Sequence, residues 1–391
     1  MKALSFEGSG WEYFKIWIVN ILLTIITFGL YHPWAKVRNR RYFYANSTLE
    51  GRNFEYHATG KQLFLSYIIA VILFITYIII QKVSPTGSLV VVGLLFLAIP
   101  WLILRSMMFN MKMMSFSNVR FEFKGALSRA YINFFAYPII SYIGLFAIAY
   151  AMIYAFKLGG IVGGVLGSLL LLAMFAFLVF AISYIKKKNS EFFIDSSHYG
   201  QGNFQTNLEL NEFIKIMFKT LGIGLLSMIG VSILLAIIMY LSFGADSLIS
   251  MGNSANNPSL VQSIIAAILP FLALSYLLMI FVSIFVMAYS ITRNRTYIFN
   301  NTRLDNNVTF ESTLKALPLA WILISNFIVV ILSLGLALPW AKVRVTRFML
   351  ENTLVKAENG FNDYLSQKQS QQSALGEEIG DVFDVDLGIG L

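Results

Sequence analysis

No cysteine occurs in the 391 residues, and there are only three histidines. The first absence removes disulfides, thiolate nucleophiles and the softest metal ligands. His32, His57 and His198 lie far apart, and neither a His-Glu-x-x-His helix nor a phosphate loop is present. No pair of carboxylates falls inside a hydrophobic run, so metal and acid–base catalysis have no visible constellation. Charge is scarce too: 13% of residues are Asp, Glu, Lys or Arg, against about 25% in a soluble domain. The expectation is a membrane protein that is not an enzyme and needs no cofactor.

Hydrophobic residues make up 57% of the chain. Eight uncharged windows stand out: 16–35, 62–81, 83–104, 130–156, 158–185, 220–245, 247–292 and 316–341. About 20 apolar residues cross a bilayer as a helix, so each window is a candidate span. Lipid leaves no partner for free backbone groups, and helices must fill the spans. The start, Met1 to Gly8, is polar and leads into a run bounded by basic residues, which argues against a cleaved leader.

The net charge of +9 hides an asymmetry: residues 357–391 carry −6, and the rest +15. The basic side chains gather in loops, which points to an anionic lipid surface rather than nucleic acid.

A short pattern recurs, a Phe followed by Glu or Gln, a polar turn and then a hydrophobic run. It begins at Phe6, Phe54, Phe121, Phe204 and Phe310. In front of most copies a basic helix end runs into Asn, Ser or Thr, as in Arg38 to Thr48 and Arg293 to Thr302. Alternation around Asn53-Phe54-Glu55-Tyr56 and Val119-Arg120-Phe121-Glu122-Phe123 predicts amphipathic β-hairpins near 48–56, 115–124, 197–206 and 302–311. The units are then 6–53, 54–120, 121–203, 204–309 and 310–356, an integral membrane domain followed by an acidic tail over 357–391. The fold class that follows is an all-α membrane protein. Its architecture is a polytopic bundle of helix-pair repeats with short cytoplasmic hairpins. Gly159, Gly163 and Gly167 lie four apart, so that helix is expected to be central in the packing.

The hairpin loops hold 20 basic residues, whereas the opposite loops hold only Lys82 and Lys157. That bias places the hairpins in the cytoplasm. If the first and last runs dip into the membrane and return, both termini are cytoplasmic as well. The break at Gly29 to Pro33 suits such a dip.

The segment Gly29 to Arg38, with Pro33-Trp34-Ala35-Lys36-Val37-Arg38 at its core, returns 306 positions later as Gly335 to Arg344. On a helix Trp34, Arg38 and Arg41 share one face, and Trp340, Arg344 and Arg347 repeat it. One reading is an interfacial anchor, with Trp at headgroup depth and Arg reaching phosphates. The other is a pair of buried arginine clusters for an anion or lipid headgroup. Asn20 and Asn326 obey the same offset and are expected to hydrogen bond between helices. The acidic run Glu377 to Leu387 reads either as a latch on the basic hairpin face or as a solvated tail.

The run Val19 to Ala35, together with Arg41-Tyr42-Phe43-Tyr44-Ala45-Asn46, resembles the YjgN family of bacterial inner-membrane proteins. The resemblance covers most of the chain. It implies a multi-pass inner-membrane protein and supplies no activity or catalytic residue. The leading functional expectation is a non-enzymatic module that contacts membrane lipids through their anionic headgroups. The alternative is a transporter or channel for an anionic or amphipathic solute, which requires Arg38, Arg41, Arg344 or Arg347 to line a polar cavity. Neither a protein partner nor an oligomeric state follows from the residues.

Overall fold

The computed structural model of the chain describes residues 1–253, 258–358, 360 and 362–371, with the side chains of 245–253 and 258–264 left aside. The acidic run Glu377 to Leu387 lies outside the described residues.

The chain begins β1 (Lys2–Phe6), α1 (Gly10–Ile26), α2 (His32–Ala45), β2 (Ser47–Leu49), β3 (Arg52–Tyr56), α3 (Gly60–Val83), α4 (Pro85–Lys112), β4 (Met114–Phe116) and β5 (Val119–Phe123). It continues through α5 (Leu127–Tyr131), a π turn (Ile132–Ala136), α6 (Tyr137–Lys157), α7 (Gly160–Asp195), β6 (Ser197–Tyr199) and β7 (Gly202–Thr206). Then come α8 (Leu210–Asn253, broken at Gly244), α9 (Pro258–Asn300), β8 (Thr302–Leu304), β9 (Val308–Ser312), α10 (Ala316–Leu332), α11 (Leu338–Glu351) and β10 (Thr353–Ala357). A last helix, α12, covers 362–371.

The expected class, an all-α bundle, is corrected by the sheet. All ten strands pair antiparallel in a closed barrel, in the order β1-β10-β9-β8-β7-β6-β5-β4-β3-β2. The four hairpins expected from alternation are there, and their tips carry positive φ at Glu50 and Gly51, Ser117 and Asn118, Gly200, and Asp305 and Asn306. Such tips match the right-handed twist of the strands they join. What changes the class is β1 and β10. They come from opposite ends of the chain, pair at Lys2 with Val355 and Ala3 with Leu354, and leave the sheet without an edge.

Side-chain alternation builds the barrel interior. Facing pairs between each outgoing strand and the strand its own helix pair returns to are Leu4–Leu49, Phe54–Phe116, Phe121–Tyr199, Phe204–Leu304 and Phe310–Val355. All ten belong to one apolar core. The repeated Phe therefore points in while the Glu or Gln after it points out. In the first unit the register puts Leu4 where the others have Phe. Phe6 instead packs outside the lumen with Tyr13 and Val343.

Each long strand sends out a helix pair that returns to the next short strand, so five helix pairs leave the same mouth. Among the described residues, six helices are long and apolar enough to cross a membrane: Gly60–Val83, Pro85–Lys112, Leu127–Lys157, Gly160–Asp195, Leu210–Gly244 and Ile265–Asn300. Within each, no more than 17% of the central apolar window is buried. Exposed apolar surface of that extent is what lipid covers. This is an open array of pairs, not a packed bundle. The glycine stripe shows the same thing: a Cβ on Gly163 would lie 2.7 Å from the Ala155 carbonyl oxygen, and one on Gly167 would overlap Phe156. The stripe mates α7 with α6, its own partner, and does not make α7 a central helix.

The first and last pairs are short. Residues Gly29 and Gly335 adopt φ of 89° and 90°, and their amides donate to Thr24 and Val330 carbonyls at 2.7 and 2.8 Å. These bonds are helix-ending turns that reverse the chain. Phe28 and Leu334, at the two tips, are 96% and 93% exposed. Helices α1 and α10, at 17 residues each, are shorter than the roughly 20 residues that usually cross a bilayer.

The opposite mouth is closed by α12. Tyr364 and Leu365 enter the barrel core, Gln369 Nε2 donates to the Ser117 carbonyl at 2.6 Å, and Arg52 donates to Asn362 at 2.9 Å. Lys368 Nζ lies 2.6 Å from Asp305 Oδ2, with only 8% of its side chain exposed. Asp305 also accepts from the Asn203 amide and the Tyr364 hydroxyl, at 2.8 and 2.9 Å. Burial works against the Asp305 charge, but Lys368, the Asn203 amide and Tyr364 outweigh it and hold the carboxyl below its ordinary value. Burial, and then Asp305, push the Tyr364 phenol up.

Asp305→Ala strands a buried ammonium, and the expected loss is about 3 kcal/mol in the docking of α12. It should be read as faster amide exchange over 362–371 and faster tryptic cleavage after Lys368. Lys368→Met, which fills the same space without charge, should lose much less. A depressed carboxyl pKa stabilises the docked form above the unfolded value and loses that contribution as pH falls through the native value. Undocking on acidification is therefore expected only below about pH 4.

Candidate functional site

The paired motif at the two ends turns out to be a joint between units. In α2, Trp34 lies over Gly60, the first residue of α3, and packs against Phe64 in a tilted arrangement at 5.0 Å. In α11, Trp340 lies over Gly10, the first residue of α1, with Phe14 at 5.0 Å. A Cβ on either glycine would overlap the indole. Arg41 Nη2 donates to the Ala58 carbonyl at 2.7 Å, and Arg347 Nη2 donates to the Gly8 carbonyl at 2.9 Å. Both carbonyls directly precede the N-cap residue of the next unit's outgoing helix.

Arg38 and Arg344 turn the other way, to their own units. Arg38 Nη1 is 3.4 Å from Asn20 Oδ1 and from the Tyr31 hydroxyl. Arg344 Nη1 is 2.7 Å from Ser325 Oγ and 3.4 Å from Asn326 Oδ1. Asn20 also donates to Asn39 at 3.0 Å and Asn326 to the Ala341 carbonyl at 3.2 Å, so both amides tie their short helix pair together. The six residues singled out from sequence thus divide. Trp34, Arg41, Trp340 and Arg347 brace the next unit, whereas Arg38 and Arg344 bond within their own; all six side chains are exposed.

Aligning the return helices on the strand each one enters reveals more. Arg38, Arg105, Lys188, Arg293 and Arg344 each stand nine residues before that strand. One turn earlier, four residues before each cation, stand Trp34, Trp101, Tyr184, Tyr289 and Trp340. The residue just ahead of each aromatic is buried: Pro33, Pro100, Ser183, Ala288 and Pro339. In the three middle units the cation sits over its own aromatic, at 5.9 Å for Arg105–Trp101, 6.0 Å for Lys188–Tyr184 and 5.5 Å for Arg293–Tyr289. Trp34, Trp101 and Trp340 remain 37%, 44% and 41% exposed. Because every return helix enters the same ring of strands, the five pairs stand at one height around the barrel axis. Sequence reading found two of the five. Pro100-Trp101 with Arg105 was legible, while Ser183-Tyr184 and Ala288-Tyr289 keep the chemistry without the letters.

The return helices also present an inner face. In α7 it carries Lys186, Asn189, Ser190 and Phe193, which line a cavity of about 510 Å³ at the helix-side mouth of the barrel. The equivalent face of α2, with Lys36, Asn39, Arg40 and Phe43, lines one of about 550 Å³ that Lys342 of α11 also enters. The solute reading asked for Arg38, Arg41, Arg344 or Arg347 in such a cavity; these two are lined by lysines and Arg40 instead. Among the described residues, no group of three or more His, Asp or Glu side chains is placed to hold a metal.

Comparison with known proteins places the chain. Residues 1–382 match a family described as bacterial protein of unknown function (DUF898). The chain belongs to the DUF898 family. It is also similar to the inner membrane protein YjgN of Salmonella typhimurium, at 30% identity over 364 residues that cover 91% of this chain and 89% of the relative. To the inner membrane protein YjgN of Escherichia coli K12 it is 36% identical over 143 residues, 36% of this chain and 35% of that one. No solved structure matches. The family and the six apolar helices together make this a multi-pass membrane protein, as the resemblance of Val19 to Asn46 implied.

The glycines under the two indoles give a stability test of the joints in this DUF898 protein. Gly60→Ala and Gly10→Ala should each cost about 1–3 kcal/mol from overpacking, seen as a lower unfolding temperature in detergent. Gly93→Ala, in α4 with nothing within 4 Å of the added carbon, should be neutral or slightly stabilising.

Proposed function

We propose that this DUF898 protein is a non-enzymatic, lipid-contacting module of the bacterial inner membrane, with its barrel and both termini on the cytoplasmic side. The observation that carries the reading is the outer belt of five aromatic–cation pairs. Trp and Tyr prefer headgroup depth, where an apolar ring and a polar edge are both satisfied. Arg and Lys one turn closer to the barrel reach the phosphates from there. A belt in all five units fixes the depth of the barrel against one membrane surface.

The sign of that surface follows from charge. The barrel-side loops hold 20 basic residues, and each cation near an anionic leaflet contributes about 1 kcal/mol. Support for the inner membrane comes from the naming of the relatives. Support for both termini sharing the barrel's side comes from β1 and β10, which are neighbouring strands of it.

The lack of native cysteine makes sidedness directly readable. An impermeant maleimide should label Thr86→Cys, in the α3–α4 turn, on intact cells. Ser5→Cys and Gln201→Cys should be labelled only in inverted vesicles. In the same protein, replacing Arg38, Arg105, Arg293 and Arg344 together by Ala should lower the phosphatidylglycerol retained on purification, by about 1 kcal/mol of preference per cation. Labelling of Ser5→Cys from outside, or unchanged retention, would contradict the reading.

A further inference from the structure

The inner face of the return helices has its own logic, separate from the outer belt. Lys36, Lys186 and Lys342 each stand eleven residues before the strand their helix enters. All three line the two cavities beneath the barrel. Among the described residues, no Asp or Glu lines either cavity. All three lysines are exposed, and none has an ion pair among the described residues, so each ammonium is open to an anion that enters the recess. Three of the five units put one there at the same height, so the charge is a repeated feature of the fold.

A second polar group points the same way. Asn189, one turn along α7 from Lys186, has its side-chain oxygen buried with no hydrogen-bond partner. It lines the same cavity. An unmet buried acceptor calls for a donor. The recess therefore offers an ammonium to an oxyanion and an amide oxygen to a hydroxyl.

Opposite these groups the cavity wall is aromatic. Phe121, Phe204, Phe310 and Phe299 line it and also line the lumen above, which ends under Tyr364 and Leu365 of α12. An apolar path thus runs from the Lys186 level up the barrel axis. The volume of about 510 Å³ falls among small-molecule sites, which span about 300–1,000 Å³.

We propose that this cavity binds a single-chain amphiphile with a phosphate-bearing, hydroxylated head, such as a lysophospholipid with a phosphoglycerol headgroup. The phosphate meets Lys186, a head hydroxyl donates to Asn189, and the acyl chain lies along Phe121, Phe204 and Phe310. The fit follows from charge complementarity, the unmet acceptor and the aromatic wall, and it does not depend on the outer belt.

The test uses the full chain in a neutral maltoside detergent. Myristoyl lysophosphatidylglycerol should bind saturably at one per chain in native mass spectrometry. Glycerol phosphate (head alone) and tetradecanol (chain alone) should fail to displace it at equal concentration. Lys186→Ala should weaken binding by about tenfold, whereas Lys188→Ala, which removes one of five belt cations, should weaken it far less. Equal loss in both variants would assign the lipid to the belt and overturn the proposal, as would unchanged binding in Lys186→Ala or displacement by glycerol phosphate alone. Should Lys186→Ala fold poorly, wild-type protein decides the matter. A diazirine near the end of the acyl chain should label peptides bearing Phe121, Phe204 or Phe310. Labelling confined to the exposed faces of the spanning helices would overturn it.

Discussion

The pairing of the first strand with the last holds this architecture together. Eight of the ten strands sit in hairpins that local turns hold, but none of those hairpins has more than three residues in its first strand. Short two-stranded pieces are marginal alone. Only when β1 and β10 meet does each strand gain a partner on both sides and the row of inward Phe, Leu and Tyr become a closed core. Closure also fixes where the helices start. Ten strands in strict alternation force five helix pairs out of one mouth at one height, with the hairpin tips at the other.

From that constraint two concentric rings follow. Outward, each return helix shows an aromatic and, one turn later, a cation, which suits a surface of headgroups. Inward, the same helices place Lys36, Lys186 and Lys342 under an aromatic lumen. The Pro-Trp-Ala-Lys-Val-Arg motif contributes to both: its Trp and Arg serve the outside and the joints, and its Lys faces the inside. The spanning helices, whose sides are left largely exposed, surround the rings and depend on lipid for their cover. On the far mouth α12 seals the lumen, held by Lys368 on Asp305.

Much of this was legible in the residues, and the losses have physical causes. The hairpins were visible because alternation and turn chemistry are local signals. The barrel was not, since its closure rests on β1 pairing with β10 from the opposite end of the chain, and pattern reading has no access to contacts so distant. Leu4 also replaces the Phe that marks the other units, which let Phe6 imitate the repeat two residues late. Of the glycines at 159, 163 and 167, only Gly163 meets another backbone, at the Ala155 carbonyl, while Gly167 meets the Phe156 ring and Gly159 meets nothing within 4 Å; spacing alone does not say which helix approaches. The six motif residues appeared as a unit on a helical wheel; the fold sends Trp34 and Arg41 to the next unit and Arg38 to its own. Lys368 lies in the segment 357–391 read as an acidic tail, and it is buried against a turn aspartate.

Ring closure has a direct chemical test in a chain without cysteine. Ala3 and Leu354 are register partners, and facing Cα atoms in antiparallel strands lie about 4.5–5.5 Å apart, within disulfide reach. Glu311 faces Leu354 from the far side, so it stands about two strand spacings, roughly 9–10 Å, from Ala3. Mild oxidation of native membranes should therefore bridge Ala3→Cys with Leu354→Cys, giving a reducible, faster-migrating species on a denaturing gel. Ala3→Cys with Glu311→Cys should give none. Failure of the first pair, or equal bridging in both, would contradict a barrel closed by the two ends of the chain.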